Sequence, residues 1–241
     1  MTGFADARRI EALIEGIDRF NATPGRGTTR LTYSPEYRAA RDFVAGQMVE
    51  AGLEVREDAV GNIFGRLEGA RPDLAPILVG SHLDSVPNGG RFDGPAGVVA
   101  GIETAFLFRD LGLQPDRPIE VVALIEEEGT RFGGGLFGSR LLTGQVDPAA
   151  LDNLRDDAGV SAAQAMTDYG LDPVRAGRRR CRPDRCMPFW NCISNRARCW
   201  RPKARTSPSS TASWGWRNCA SPCAGRRAMP APRRWTSAAM R

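Results

Sequence analysis

The chain has 241 residues, 33 Lys and Arg against 28 Asp and Glu, a net charge of +5 and 41% hydrophobic residues, which is enough for one large domain or two small ones with a sizeable core. These averages hide a division. Residues 174–241 hold 17 of the basic residues, one acid (Asp184), all six cysteines and all five tryptophans, a balance of +16, whereas residues 1–173 balance at −11. A uniform globular chain does not segregate its residue types this sharply.

In the opening segment MTGFADARRIEALIEGIDRF, Ile10, Leu13, Ile14 and Ile17 recur at helical spacing, which predicts a surface helix over residues 5–20. It has no apolar centre for a secretory signal, and no later run reaches the roughly 18 apolar residues of a membrane span. The expectation is therefore a cytoplasmic protein with no membrane partner, consistent with a first 180 residues free of cysteine. Ser34-Pro35-Glu36 predicts a helix start, with an N-cap hydroxyl, a proline at the first helical position and an acid in the first turn. This helix should run through Phe43, Val44, Gln47 and Met48 and stop at Gly52. LEVRED and NIFGRLEG read as a strand pair joined at Val60-Gly61, and PILVGSH as a short buried strand. Gly97 to Leu113 returns to helical period, PIEVVALIEE is another buried strand, and residues 136–169 read as short helices. Strand, helix, strand in this order predicts a doubly wound α/β sheet, in which sites gather at the carboxyl ends of strands.

Two stretches carry chemistry. GSHLDSVPNGGRFDGPAGVVAG, residues 80–101, holds the only histidine of the chain, His82, with Asp84 two residues on and Asp93 beyond a glycine-rich loop. One of the first pair can bind a metal while the other orients it, and glycines let the loop return Asp93 to the same place. The second stretch, Glu126-Glu127-Glu128, ends an apolar strand. Adjacent side chains diverge, so of Glu127 and Glu128 one can ligate a metal while the other takes a proton from water. Taken alone, His82 reads as a satisfied buried histidine and the acids as a solvated turn. Together they read as a metal site, because three acids are a poor end for a buried strand unless a cation waits there.

These two stretches resemble the metal-binding motifs of the M20 metallopeptidase superfamily, in particular its amidase branch of hydantoinases and carbamoylases, and TRLTYSPE and DAVGNIFGRLEG are similar to its upstream blocks. The resemblance covers about residues 5–173 and implies an incomplete zinc-peptidase-like catalytic domain over 1–173. It implies two divalent ions, zinc or manganese, with His82 on one, Glu128 on the other and Asp93 bridging. Glu127 would be the catalytic base and Asp84 would hold His82. The implied reaction is hydrolysis of a ureido or carbamoyl C–N bond in a small molecule, releasing ammonia and carbon dioxide. Allantoate is the first choice of substrate, and an N-carbamoyl-L-amino acid or a ureidopropionate the alternative. The intact family form is expected to be a homodimer. The resemblance also implies two further histidines, which this chain lacks, so the 241-residue product is expected to be poorly active.

Residues 174–241 show no period and read as an irregular basic tail. Nucleic-acid binding is the rival reading of such a tail, since basic groups interleaved with aromatics grip phosphates and stack bases. Back-translation favours a third reading. Regrouping the bases that encode Phe189 to Trp200 by one position allows LELHIEQGPVL, and Thr211–Cys219 and Arg227–Thr236 allow GIVGMAQL and GHAGTTPMD. Those strings resemble the later blocks of the same family, which predicts a frameshift after about Asp172.

Overall fold

The computed structural model of the protein describes residues 5–143 and 145–176, together with three short strands further on. Helix α1 (Ala7–Asp18) is capped by Asp6, whose carboxylate accepts the N–H groups of Arg8 and Arg9, and it buries Leu13, Ile14 and Ile17. Helix α2 (Pro35–Glu50) starts as its sequence predicts, with the Ser34 hydroxyl accepting the Tyr37 N–H at 3.1 Å. Its buried face is Tyr37, Ala40, Val44 and Met48.

Strands β1 (Glu54–Glu57) and β2 (Ile63–Leu67) form the expected antiparallel hairpin. Asp58 builds its turn, accepting the N–H groups of Val60 at 3.0 Å and Asn62 at 2.9 Å and the side-chain amide of Asn62 at 2.7 Å. Strand β3 (Ile77–His82), helix α3 (Pro95–Asp110) and strand β4 (Ile119–Leu124) follow, and β3 and β4 are parallel. This is the predicted crossover unit. Helix α3 begins two residues before the predicted Gly97, because Pro95 is pre-set for a first helical position, and it ends at Asp110 rather than Leu113. Two short helices, α4 (Phe137–Leu142) and α5 (Ala162–Asp168), occupy the segment read as short helices.

The sheet order is β1-β2-β4-β3-β5, where β5 (Phe189–Asn191) runs parallel to β3. Two further strands, β6 (Arg198–Cys199) and β7 (Arg217–Asn218), form a separate antiparallel pair. The sheet is α/β as expected but mixed, since β2 pairs antiparallel with β4. The expectations of an irregular tail and of a frameshift concern residues that, apart from these three strands, lie outside the described ones.

The two sheet faces differ. Ile63, Val121 and Ala123 pack with the buried residues of α1, α2 and α3 into the main core, whereas Phe64, Val122 and Leu124 form a small cluster with Leu142 on the other face. On that second face the Arg56 guanidinium lies 4.0 Å from the Phe64 ring centre. Strand β3 is less buried than its apolar sequence predicts: Ile77, Leu78 and Val79 are half-buried, and burial is complete only from Gly80 to His82. Helix α3 sits close on β3 because Gly97 has no side chain there; a Cβ would lie 2.7 Å from that of Ser81.

Candidate metal centre

Parallel pairing places His82 beside Leu124, so the last residue of β3 and the last residue of β4 stand together at the carboxyl edge of the sheet. The next residues of each strand form the site. After β3 the chain loops out and returns at Gly94, whose φ of +82° is a left-handed conformation that favours glycine. A Cβ at Gly94 would lie 2.6 Å from the His82 carbonyl oxygen and 2.7 Å from its ring, so only a bare backbone fits against the imidazole. After β4, Glu126 takes φ +51° and reverses the chain. That reversal separates the three acids. Glu126 turns inward and is fully buried, accepting the N–H groups of Arg131 at 2.8 Å and Phe132 at 3.0 Å. Glu127 and Glu128 remain at the site.

His82 is fully buried. Its Nδ1 lies 2.9 Å from the carbonyl oxygen of Asp84. A carbonyl can only accept, so Nδ1 carries the proton and the lone pair of the neutral ring sits on Nε2. Nε2 is buried with no hydrogen-bond partner among the described residues, 3.6 Å from Glu127 Oε2 and 3.9 Å from Asp93 Oδ1. Ligand atoms of His82, Asp93 and Glu128 all lie within 4.8 Å of one another. One divalent ion with bonds of about 2.0–2.2 Å fits such a span with little rearrangement. The orphaned Nε2, whose lone pair meets carboxylates that offer it no proton, fits a metal ligand better than a satisfied core histidine.

Asp84 meets His82 with both its backbone and its side chain. Its backbone carbonyl makes the close contact with the ring, and its Oδ1 is 3.5 Å from Nδ1. The carboxylate itself accepts the N–H of Glu127 at 3.1 Å through Oδ1 and that of Glu128 at 3.0 Å through Oδ2. One buried side chain thus staples the loop after β3 to the loop after β4.

The charges follow from this crowding. Burial pulls the His82 imidazole down, but the hydrogen bond and charge of Asp84 and the charge of Glu127 outweigh it, and the ring is pushed up to about 9. Burial raises the Glu127 carboxyl, with the charge of His82 opposing and those of Asp84 and Asp93 adding. Glu128 is raised for the same leading reason. Four acidic groups around one imidazole are an arrangement that a cation stabilises.

Sequence reasoning missed one residue that shapes the site. Asn62, fully buried, accepts the Ile125 N–H through Oδ1 at 2.9 Å and so fixes the backbone where β4 turns into the acids. In the sequence it read only as the first residue of the strand NIFGRLEG.

Known proteins carry the same segment. Peptidase family M28 matches residues 62–155. An N-carbamoyl-L-amino-acid amidohydrolase of Paenarthrobacter aurescens is 51% identical over 169 residues, which is 70% of this chain and 41% of that protein. An allantoate amidohydrolase of Escherichia coli (strain K12) is 40% identical over 163 residues, covering 67% of this chain and 39% of its own length. The crystal structure of a hydantoinase/carbamoylase family amidase from Burkholderia ambifaria superposes with a TM-score of 0.67 at 38% identity, over 72% of this chain and 43% of that one. The chain therefore spans about two fifths of the length of these curated relatives. Over about 70% of its length the chain is thus similar to amidases of the hydantoinase/carbamoylase family.

Proposed function

We propose that the protein hydrolyses the C–N bond of a ureido or carbamoyl group in a small linear substrate, with a divalent ion held by His82, Asp93 and Glu128. The observation that carries this is the Nε2 of the only histidine, buried, without a hydrogen-bond partner among the described residues and facing acids at the carboxyl edge of the sheet. An ion bound there supplies Lewis acidity to a carbonyl and lowers the pKa of water. Glu127 stands outside that ligand group, within 3.6 Å of His82 Nε2, with a carboxyl raised by burial. It is placed to take the proton of the attacking water and return it to the departing nitrogen. Asp84 holds the Glu127 and Glu128 amides still while this happens. Hydrolysis of a carbamoyl group then yields ammonia and carbon dioxide.

Two ions, zinc or manganese, remain the proposal from the family resemblance; a second ion needs ligands beyond the group His82, Asp93 and Glu128. Within the substrate class, the higher identity to an N-carbamoyl-L-amino-acid amidohydrolase than to an allantoate amidohydrolase favours a carbamoyl amino acid. Allantoate, the first choice from the family resemblance, is the second reading. The same proposal takes residues beyond about Asp172 to be read in another frame, and the intact protein to be a homodimer. The test is release of ammonia from N-carbamoyl-L-amino acids and from allantoate by the protein expressed from a frame-restored gene with added manganese. Turnover of one substrate, lost in His82→Ala, supports the reading; turnover of neither by a folded, metal-loaded protein overturns it.

A further inference from the structure

Arg30 is among the largest fully buried side chains of the described residues. No carboxylate lies within ion-pair distance of it among those residues. Its charge is instead spread over three backbone carbonyls. Nε donates to Leu83 at 2.7 Å, and Nη1 donates to Ile17 at 3.0 Å and Phe20 at 2.8 Å. Ile17 and Phe20 lie at the carboxyl end of α1, where orphan carbonyls carry partial negative charge and favour a cation. Leu83 is the residue that follows His82. A capping role at α1 explains two of these bonds and leaves the third unexplained.

The backbone around Arg30 points the same way. Thr28 and Gly89 exchange N–H···O bonds of 2.9 and 2.8 Å, and the Ser85 N–H donates to the Arg30 carbonyl at 3.1 Å. The Arg30 N–H donates to the Ser85 hydroxyl at 3.0 Å, and that hydroxyl donates to Thr28 at 3.0 Å. The Asn88 N–H donates to the Thr29 hydroxyl at 2.8 Å. Residues 28–30 therefore grip the loop from Leu83 to Gly89, the part that leaves His82 and leads towards Asp93. We propose that Arg30 is a positioning residue of the metal centre, fixing the Leu83 carbonyl to the end of α1 so that the His82 and Asp93 ligands are held in place before an ion arrives. A lysine keeps the charge but lacks the planar fork that reaches carbonyls on two elements at once. This inference rests on the metal-centre reading above.

The test is the affinity of the full 241-residue chain for Mn²⁺, read from the electron-spin resonance signal of free Mn²⁺. Alongside it, the Hε1 resonance of the single histidine is read in the metal-free chain. Both are measured at a temperature where circular dichroism shows each variant folded. Arg30→Lys is expected to weaken Mn²⁺ binding about tenfold, the scale of loss when a group supporting a ligand is removed, and to shift the metal-free Hε1 resonance. Ser85→Ala, which leaves the guanidinium in place, gives a smaller loss in the same direction and keeps the test usable if Arg30→Lys does not fold. Arg9→Lys weakens a pair with Glu103 remote from this loop, lowering stability while leaving Mn²⁺ affinity and the Hε1 shift unchanged. Wild-type affinity in both loop variants, or equal losses in Arg9→Lys, overturns the inference alone. A wild-type chain that binds no Mn²⁺ overturns the metal-centre reading, and an unchanged Hε1 shift in Arg30→Lys then overturns this one as well.

Discussion

At the scale of single residues, the site rests on one imidazole whose two nitrogens have different tasks. Nδ1 is fixed by the Asp84 carbonyl and Nε2 is left for a ligand. Because the chain has one histidine, its titration is read without assignment. In the metal-free chain we expect the Hε1 shift to titrate near 9 rather than at the ordinary 6.5. The sign for stability follows: a folded value raised above the unfolded one gives stability that is fully present below about 6.5 and lost as pH rises through about 9. Denaturation of the metal-free chain across that range checks it, and a flat profile together with an Hε1 midpoint at 6.5 contradicts it. A divalent ion must displace the same proton, so binding at neutral pH should release it to the buffer. The two neighbouring acids separate by role. In a turnover-competent, frame-restored protein, Glu127→Gln should lower the rate by roughly 10²–10⁴-fold with Mn²⁺ affinity nearly kept, whereas Glu128→Gln should weaken the affinity itself. Paired rate and binding measurements distinguish these outcomes.

At the scale of elements, the helices and strands were legible because their signals are local. Ser34-Pro35-Glu36 opens α2 and the apolar run of β4 is buried along its whole length. That His82, Asp93, Glu127 and Glu128 come close together was legible for a related reason: they lie at or near strand ends and the glycine-rich loop, and parallel pairing brings those ends side by side. The antiparallel attachment of the hairpin to β4 was not legible, since nothing in either strand's own sequence names its partner. Arg30 and Asn62 were also opaque, because their partners are backbone groups far along the chain, which sequence patterns do not mark. Asn62 offers a measurable case. Asn62→Ala leaves the Ile125 N–H buried without an acceptor, which should cost about 1–3 kcal/mol in urea denaturation. A loss under about 0.5 kcal/mol, the size of an ordinary surface change, would mean that the turn after β4 is held by something else.

At the scale of the whole molecule, the two compositional halves of the sequence meet different fates. The segment through about residue 173 holds the helices and the candidate site, while the basic cysteine- and tryptophan-rich remainder has no sequence period that a fold would select. On the frameshift proposal, nucleotide sequencing across the Asp172 codon should show a base gained or lost relative to the translated text, and restoring the frame should add family histidines. An uninterrupted frame in the gene, shared by independent isolates, would remove that proposal without touching the metal centre. Six cysteines beyond residue 180 also bear on how the centre is tested. Thiolates compete for zinc, so a harder ion that prefers oxygen and imidazole reports on the acidic site more cleanly.

The most direct measurement is the line width of the single histidine Hε1 resonance in the 241-residue chain as Mn²⁺ is added. Paramagnetic Mn²⁺ held by His82, Asp93 and Glu128 should broaden that resonance beyond detection near one equivalent, and Asp93→Ala with Glu128→Ala should require a large excess of ion. A resonance that stays sharp at several equivalents, or broadens equally in the double variant, contradicts the assignment of these residues as the metal centre.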